Sequence, residues 1–266
     1  MDTWAAPVRI RHILHAADAD QAAGLAVEAA QALADRLGAR LTRIAVPPAA
    51  SGAGPGRGSV PAAGAHASGL TGVAEGIPDI EIVRSAEAIM ADLILMIRPS
   101  GAEAGGRLQA ERQDAVVRRV DVPCLILPAG QTRFGQLRVA LDGSERGMRA
   151  LRVAWSLRKL PTTGLSAIHV QPARGDSAVW RAAPASTAGA RLEGWIRQLV
   201  RPARPPVLLS RNGDVVQEVL RDLSESDGDL LAVGVRRGGP ADRDESTGSG
   251  RRILAAARCG VLTVPL

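Results

Sequence analysis

The chain has 266 residues, 46% of them hydrophobic, which is ample for the buried core of one large or two ordinary domains. Aromatic residues are scarce, with four Trp, one Phe and no Tyr, and this disfavours surfaces that stack bases on rings. The net charge of +6 is uneven: residues 131–266 hold 20 Arg, one Lys and 13 acids, and residues 1–130 hold 12 Arg and 14 acids.

The arginines of the basic half are interspersed with acids rather than gathered in a stripe, so nucleic acid is not the expected partner. The two cysteines, Cys124 and Cys259, cannot build a disulfide framework or a zinc site by themselves and fit a reducing compartment. No apolar run reaches the length of a membrane span. The N-terminus lacks the charged start, apolar run and cleavage site of a signal peptide. The expected location is cytoplasmic, with no membrane partner.

In chain order, residues 1–9 read as a lead-in, and Ile10–Ala16 as an apolar run that ends at Asp18. Asp20–Leu37 has helical spacing through Leu25, Leu33 and Leu37, and Gly38 stands where a helix-ending glycine belongs. Leu41–Val46 is a second strand, which makes a parallel β-α-β unit. Pro47–Gly72, rich in Gly, Pro, Ala and Ser, reads as an excursion that packs poorly. Ile80–Val83 is a third strand candidate, Asp92–Ile97 a fourth, and Arg84–Ala91 leaves room for a short helix. Arg107–Val120 is helical, Pro123–Leu127 is a strand and Ala129–Gly135 is a linker.

The second half begins with Leu137–Leu141, a strand ending at Asp142. Ser144 is a good helix N-cap with Glu145 in the first turn, and the helix runs to about Leu160 before Pro161 and Gly164. Strands follow at Leu165–Val170 and Pro206–Ser210, with helices at Gly189–Val200 and Val215–Ser224. Set side by side, the halves share one order. Ile13–Asp18 answers Val139–Asp142, and Thr42–Val46 answers Ala167–Val170. Ala91–Met96 answers Gly228–Val233, and Val122–Leu127 answers Cys259–Val264. The repeat is a whole α/β domain rather than a solenoid unit. It indicates a duplication, with domains at 1–130 and 136–266.

The last stretch, from Asp229, carries the chemistry. The apolar run Leu230–Val233 leads into a loop with Gly234, Gly238, Gly239, Gly248 and Gly250. A helix over Arg251–Ala257 and a strand over Val261–Val264 follow. In this arrangement backbone N–H groups at a helix N-terminus can hold a phosphate. The plainer reading is that the glycines serve only tight turns. Asp18 and Asp142 could likewise merely cap the following helices, although the carboxyl end of a strand is where ligands sit in open α/β sheets. His12, His15, His66 and His169 have no metal-ligand spacing, and His169 reads as a core residue. No nucleophile, base and orienting acid stand out.

Several of these residues carry a family resemblance. Val139-Ala-Leu-Asp-Gly-Ser-Glu145 resembles the first strand and turn of the universal stress protein (UspA) family, and His169-Val170 its second strand. Asn212-Gly-Asp214 and Ser226–Gly234 are similar to its third helix and fourth strand, and Arg252–Val264 to its last helix and strand. The resemblance implies an α/β fold of two tandem doubly wound domains. Each would be an open five-stranded parallel sheet flanked by helices, Rossmann-like and similar to the adenine nucleotide α-hydrolases. The two domains would pair within the chain through their last strands, with a homodimer also open.

Some members of the family bind ATP. An aspartate after strand one and a valine after strand two then hold adenosine, and a Gly-x2-Gly-x9-Gly-Ser/Thr loop holds the phosphates. By the resemblance, Asp142, Val170 and Gly234 match the aspartate, the valine and the first loop glycine. Two alignments of the loop are open. One reads Gly234-x3-Gly238-x9-Gly248-Ser249, with an inserted residue. The other puts Arg237 at the second glycine and Thr247-Gly248 at Gly-Ser. Asp242, Asp244 and Glu245 would repel phosphates unless a cation such as Mg²⁺ intervenes. Arg236, Arg237, Arg251 and Arg252 would suit phosphate oxygens. In the first half Ala110-Glu111 stands where Gly-Ser is expected, so that half should not bind ATP.

The sequence therefore implies a non-enzymatic, stress-type regulatory protein that holds ATP in its second half. The competing reading is a pseudo-dimeric interaction module without nucleotide, and a third is an ATP-dependent ligase, for which no acceptor site is evident.

Overall fold

A computed structural model of the chain describes residues 8–18, 25–46, 72–73, 77–98, 104–132, 134–144, 147–160, 164–171, 192–196, 207–224, 230–236 and 248–265. The first half contains β1 (His12–Asp18), α1 (Leu25–Leu37), β2 (Arg40–Val46), β3 (Gly72–Val73), α2 (Pro78–Ala88), β4 (Leu93–Arg98), α3 (Ala104–Arg119) and β5 (Cys124–Pro128). The second contains β6 (Leu137–Leu141), α4 (Gly147–Ser156), β7 (Leu165–Gln171), a helical segment α5 (residues 192–196), β8 (Val207–Asn212), α6 (Val215–Ser224), β9 (Leu230–Val235), α7 (Ser249–Ala256) and β10 (Gly260–Pro265).

All ten strands form one sheet in the order β3-β2-β1-β4-β5-β10-β9-β6-β7-β8. Every pairing is parallel except β5–β10, which is antiparallel. Helices cover both faces, so the central strands are apolar at nearly every position rather than alternating. β10, for example, is buried from Gly260 to Pro265. One layer of core lies against α1 and α4, with Leu33, Leu95, Leu151 and Leu262, and the other against α2, α3, α6 and α7, with Ile82, Val116, Val219 and Ile253.

The halves share a register. Ile13 pairs with Leu41 and Leu93, and Leu137 pairs with Leu165 and Leu230. The offset that takes Ile13 to Leu137 also takes Asp18 to Asp142 and Val46 to Val170. The larger offset that takes Leu93 to Leu230 also takes Ile97 to Gly234 and the last residue of α3, Arg119, to the last residue of α7, Ala256.

Most expected elements are present within a residue or two, and Leu137–Leu141 and Val215–Ser224 match at both ends. Gly38 adopts φ +64°, and Ala39 and Gly38 donate to the carbonyls of Ala34 and Asp35, the paired bonds that terminate a helix on a left-handed residue. One expectation is corrected. Ile80–Val83 is not a strand but lies inside α2. Pro78 opens that helix with Asp79 and Glu81 in its first turn, and Pro78, Ile82 and Ala86 form its buried stripe. The third strand is instead the short β3, beside Ile44 and Ala45. The helix expected over Gly189–Val200 is described only at residues 192–196, and most of Pro47–Gly72 lies outside the described residues.

Candidate nucleotide site

In each half the chain leaves its first strand toward one side and returns on the other, so the strand order reverses between β1 and β4 and between β6 and β9. Crevices at the carboxyl ends of strands beside such a reversal are where open α/β sheets bind ligands. In the second half Asp142 follows the end of β6 and Gly234 lies near the end of β9. Val170, buried, lies near the end of β7, one step beyond the Leu141–His169 pair.

Local chemistry fixes Asp142. Its Oδ1 accepts from the Ser144 N–H (2.9 Å) and the Ser144 hydroxyl (2.7 Å), and Ser144 Oγ accepts from the Gly147 N–H (2.9 Å). Ser144 is therefore the expected N-cap, and Asp142 braces the cap rather than capping the helix itself. Asp142 Oδ2 takes no hydrogen bond among the described residues, and the side chain is exposed. His169, fully buried, donates from Nδ1 to the Leu141 carbonyl at 2.8 Å and pins the backbone just before Asp142. The core reading of His169 holds, but its position gives it this added effect, which an apolar flanking sequence did not signal.

The other wall is α7. Gly248 is its N-cap, with no side-chain hydrogen bond there, and Ser249 is its first residue. The Arg251 N–H turns back to the Gly248 carbonyl at 2.9 Å. The N–H groups of Ser249 and Gly250, in the first helical turn, have no carbonyl within the helix to bond and carry its positive dipole end. Gly250 sets where this end lies. A Cβ built on it would stand 2.2 Å from the Gly234 carbonyl oxygen, so only glycine lets the helix rest directly on the end of β9. Gly234, expected to open the loop, is within β9, paired with Val264. The helix begins at Ser249, with Gly248 before it, so Gly248 and Ser249 stand at the helix start. Arg236 is exposed just after β9, while Arg237, Gly238, Thr247 and the loop acids lie outside the described residues.

Arg251, expected to suit phosphate oxygens, is committed to α3. Its Nε and Nη2 donate to both carboxylate oxygens of Asp114 on α3, at 2.9 and 2.7 Å.

The first-half crevice is built differently. By the shared offset, Arg112 and Gln113 occupy the places of Ser249 and Gly250. Yet α3 is 16 residues long against 8 for α7, and it begins at Ala104. Ala110-Glu111 therefore lie within the helix and not at its start, and backbone N–H groups there are inside the helical ladder. Gln113, buried, donates from Nε2 to the Ile97 carbonyl at 3.1 Å. This is the carbonyl equivalent to that of Gly234. A glutamine fills the gap that Gly250 closes in the other half, and Arg112, Gln113, Met96 and Val46 line what little space is left.

Two substitutions separate the two glycines of the second site. Gly250→Ala meets a backbone carbonyl and is expected to destabilise the fold by roughly 1–3 kcal/mol, the usual range for overpacking. Gly147→Ala meets Asp142 Oδ1, likewise at 2.2 Å, but a side-chain tip can swing away. Gly147 is itself buried, but the atom it meets can move, so the expected loss is about 1 kcal/mol, that of loosening the Asp142–Ser144 hydrogen bonds, while Asp142 is displaced. Urea unfolding of both variants checks the contrast, and equal losses would contradict it.

Neither protein-family models nor curated proteins match the sequence. Solved structures do. A protein of unknown function from Pseudomonas aeruginosa PAO1 has a TM-score of 0.68 at 16% identity, covering 96% of this chain and 92% of that one. A candidate universal stress protein from Pseudomonas aeruginosa UCBPP-PA14 has a TM-score of 0.67 at 16% identity, covering 96% and 93%. A universal stress protein from Archaeoglobus fulgidus DSM 4304 has a TM-score of 0.59 at 16% identity, covering 96% of each chain. The chain has the universal stress protein fold. Within that fold the two crevices of this chain differ: among the described residues the second half presents a helix N-terminus without a side-chain cap and an exposed carboxylate at the end of β6, and the first half a buried glutamine. Among the described residues no helix is long and apolar enough to cross a membrane, and no cluster of three or more His, Cys, Asp or Glu could hold a metal ion.

Proposed function

We propose that the chain is a cytoplasmic regulatory protein of the universal stress type, with domains at 1–130 and 136–266, that binds ATP with Mg²⁺ in the second domain. The observation that carries this reading is the start of α7, without a side-chain cap among the described residues and held against the end of β9 by the close approach of Gly250 to Gly234. That placement directs the N–H groups of Ser249 and Gly250 to the mouth of the crevice, where a phosphate would be favoured by both hydrogen bonding and the helix dipole. Arg236 stands on the same side and adds positive charge. Asp142, with Oδ1 committed to Ser144, keeps Oδ2 to accept from hydroxyl or amino groups of a nucleoside. Val170 supplies apolar surface beside it.

Mg²⁺ would arrive on the phosphates, consistent with its habit of binding through substrate oxygens and a few carboxylates. The reading is one of binding and not of turnover. The first domain, with Gln113 across its crevice and no helix end there, serves as the structural partner of the second.

Titration of purified protein with labelled ATP and Mg²⁺ tests the reading. Saturable binding is expected. It should weaken roughly 10- to 100-fold in Asp142→Ala, the equivalent of losing one charge-assisted hydrogen bond of about 1.5–3 kcal/mol, and also in Gly248→Val. An absence of saturable binding at millimolar ATP would sink it.

A further inference from the structure

The antiparallel junction of β5 and β10 relates the halves by a local twofold. Leu125 pairs with Leu262, and the offset linking the halves takes Leu125 to Leu262 itself, so the axis passes between a residue and its own equivalent. The same offset takes Asp114 to Arg251. These two also face each other, through the bidentate pair of 2.9 and 2.7 Å between α3 and α7. At a twofold contact between identical units one residue type would have to meet itself. Here the two copies of one position carry opposite charges.

We infer that Asp114 and Arg251 form a pairing code that makes the junction heterotypic: the α3–β5 face of a first half accepts the α7–β10 face of a second half and penalises its own kind. Two first halves would set Asp114 against Asp114, and two second halves would set Arg251 against Arg251. Like charges held this close are a recognised device for rejecting wrong partners. The pair is suited to the task because both side chains are only 26% exposed, so screening by water is incomplete. Arg118 on α3 also reaches Asp114, at 3.2 Å, and belongs to the same first-half face. The partner this surface fits is thus the second half of the same chain.

Single charge reversals reproduce the forbidden contacts within the intact chain. Arg251→Asp sets Asp against Asp as two first halves would, and Asp114→Arg sets Arg against Arg as two second halves would. Thermal unfolding of the full chain is the measurement. Arg251→Ala is expected to lower Tm by roughly 2–4 °C. Arg251→Asp should lower it further, and Asp114→Arg most of all because Arg118 adds to the repulsion. The exchange D114R/R251D should recover more than half of the Arg251→Asp loss, and 1 M salt should narrow the differences. The inference is overturned if Arg251→Asp is no worse than Arg251→Ala, or if the exchange is no better than the single reversals.

Discussion

Asp222→Ala is expected to remove about 3–5 kcal/mol of folding stability, the range seen when one partner of a buried ion pair is deleted. Asp222 on α6 is 5% exposed and Arg138 on β6 is 8% exposed, with Nη1 and Oδ2 2.5 Å apart. Arg211 on β8 approaches the other carboxylate oxygen at 3.3 Å, and Gln136 Oε1 accepts from Arg138 Nη2 at 3.0 Å. One carboxylate therefore ties a helix to a central strand and to the edge strand of the second half. Taking it away removes the carboxylate from a buried guanidinium that cannot shed its charge, beside a layer that includes Val216, Val219 and Leu231. Replacing both partners, as in Arg138→Leu with Asp222→Leu, removes the stranded charge and should cost far less than the single change. Urea unfolding of the two variants decides the point. A single-variant loss below about 1 kcal/mol, typical of an exposed pair, would show that this pair anchors nothing.

Acidification should weaken the fold well above the range where carboxylates titrate. His15 in β1 is fully buried, pairs with Arg43 on one side and Leu95 on the other, and has no hydrogen-bond partner at either ring nitrogen among the described residues. Burial, with the nearby charge of Arg43, pushes its pKa down to about 4. The unfolded chain takes up this proton near pH 6.5 and the folded chain refuses it until about pH 4. The unfolded state therefore binds more protons across that window. Stability contributed by neutral His15 is complete above pH 6.5 and falls as the pH drops toward 4, by about 3 kcal/mol in all at roughly 1.4 kcal/mol per pH unit. His12, part-buried, is shifted the same way by burial. His15→Leu should flatten the slope between pH 6.5 and 4.5 without loss of stability at pH 7.5. Urea midpoints across that range in parent and variant are the check, and equal slopes would refute the assignment to His15.

Much of this architecture could be read from the chain because parallel strands buried on both faces leave continuous apolar runs, and the runs ending at Asp142 and starting at Leu230 carry that mark. Ser144 was legible as a cap because caps are local chemistry, whereas the last helix, expected from Arg251, begins two residues earlier at Ser249. Ile80–Val83 was misread since three β-branched residues in four mimic a strand, whereas the helix is decided by Pro78 and the buried spacing of Ile82 and Ala86. Long-range geometry left no local trace. Nothing in the sequence around Gly250 says that it meets the Gly234 carbonyl, nor around Gln113 that it spans the equivalent gap. Arg251 looked suited to phosphate because its partner, Asp114, lies far away in the chain.

The most direct test of the asymmetry between the two crevices is the stoichiometry of ATP, measured calorimetrically in the presence of Mg²⁺ on the intact chain. The start of α7 at Gly248–Ser249 and the glutamine across the crevice of the first half together predict one ATP per chain, lost in Asp142→Ala. Two ATP per chain, or one that survives Asp142→Ala, would contradict the account.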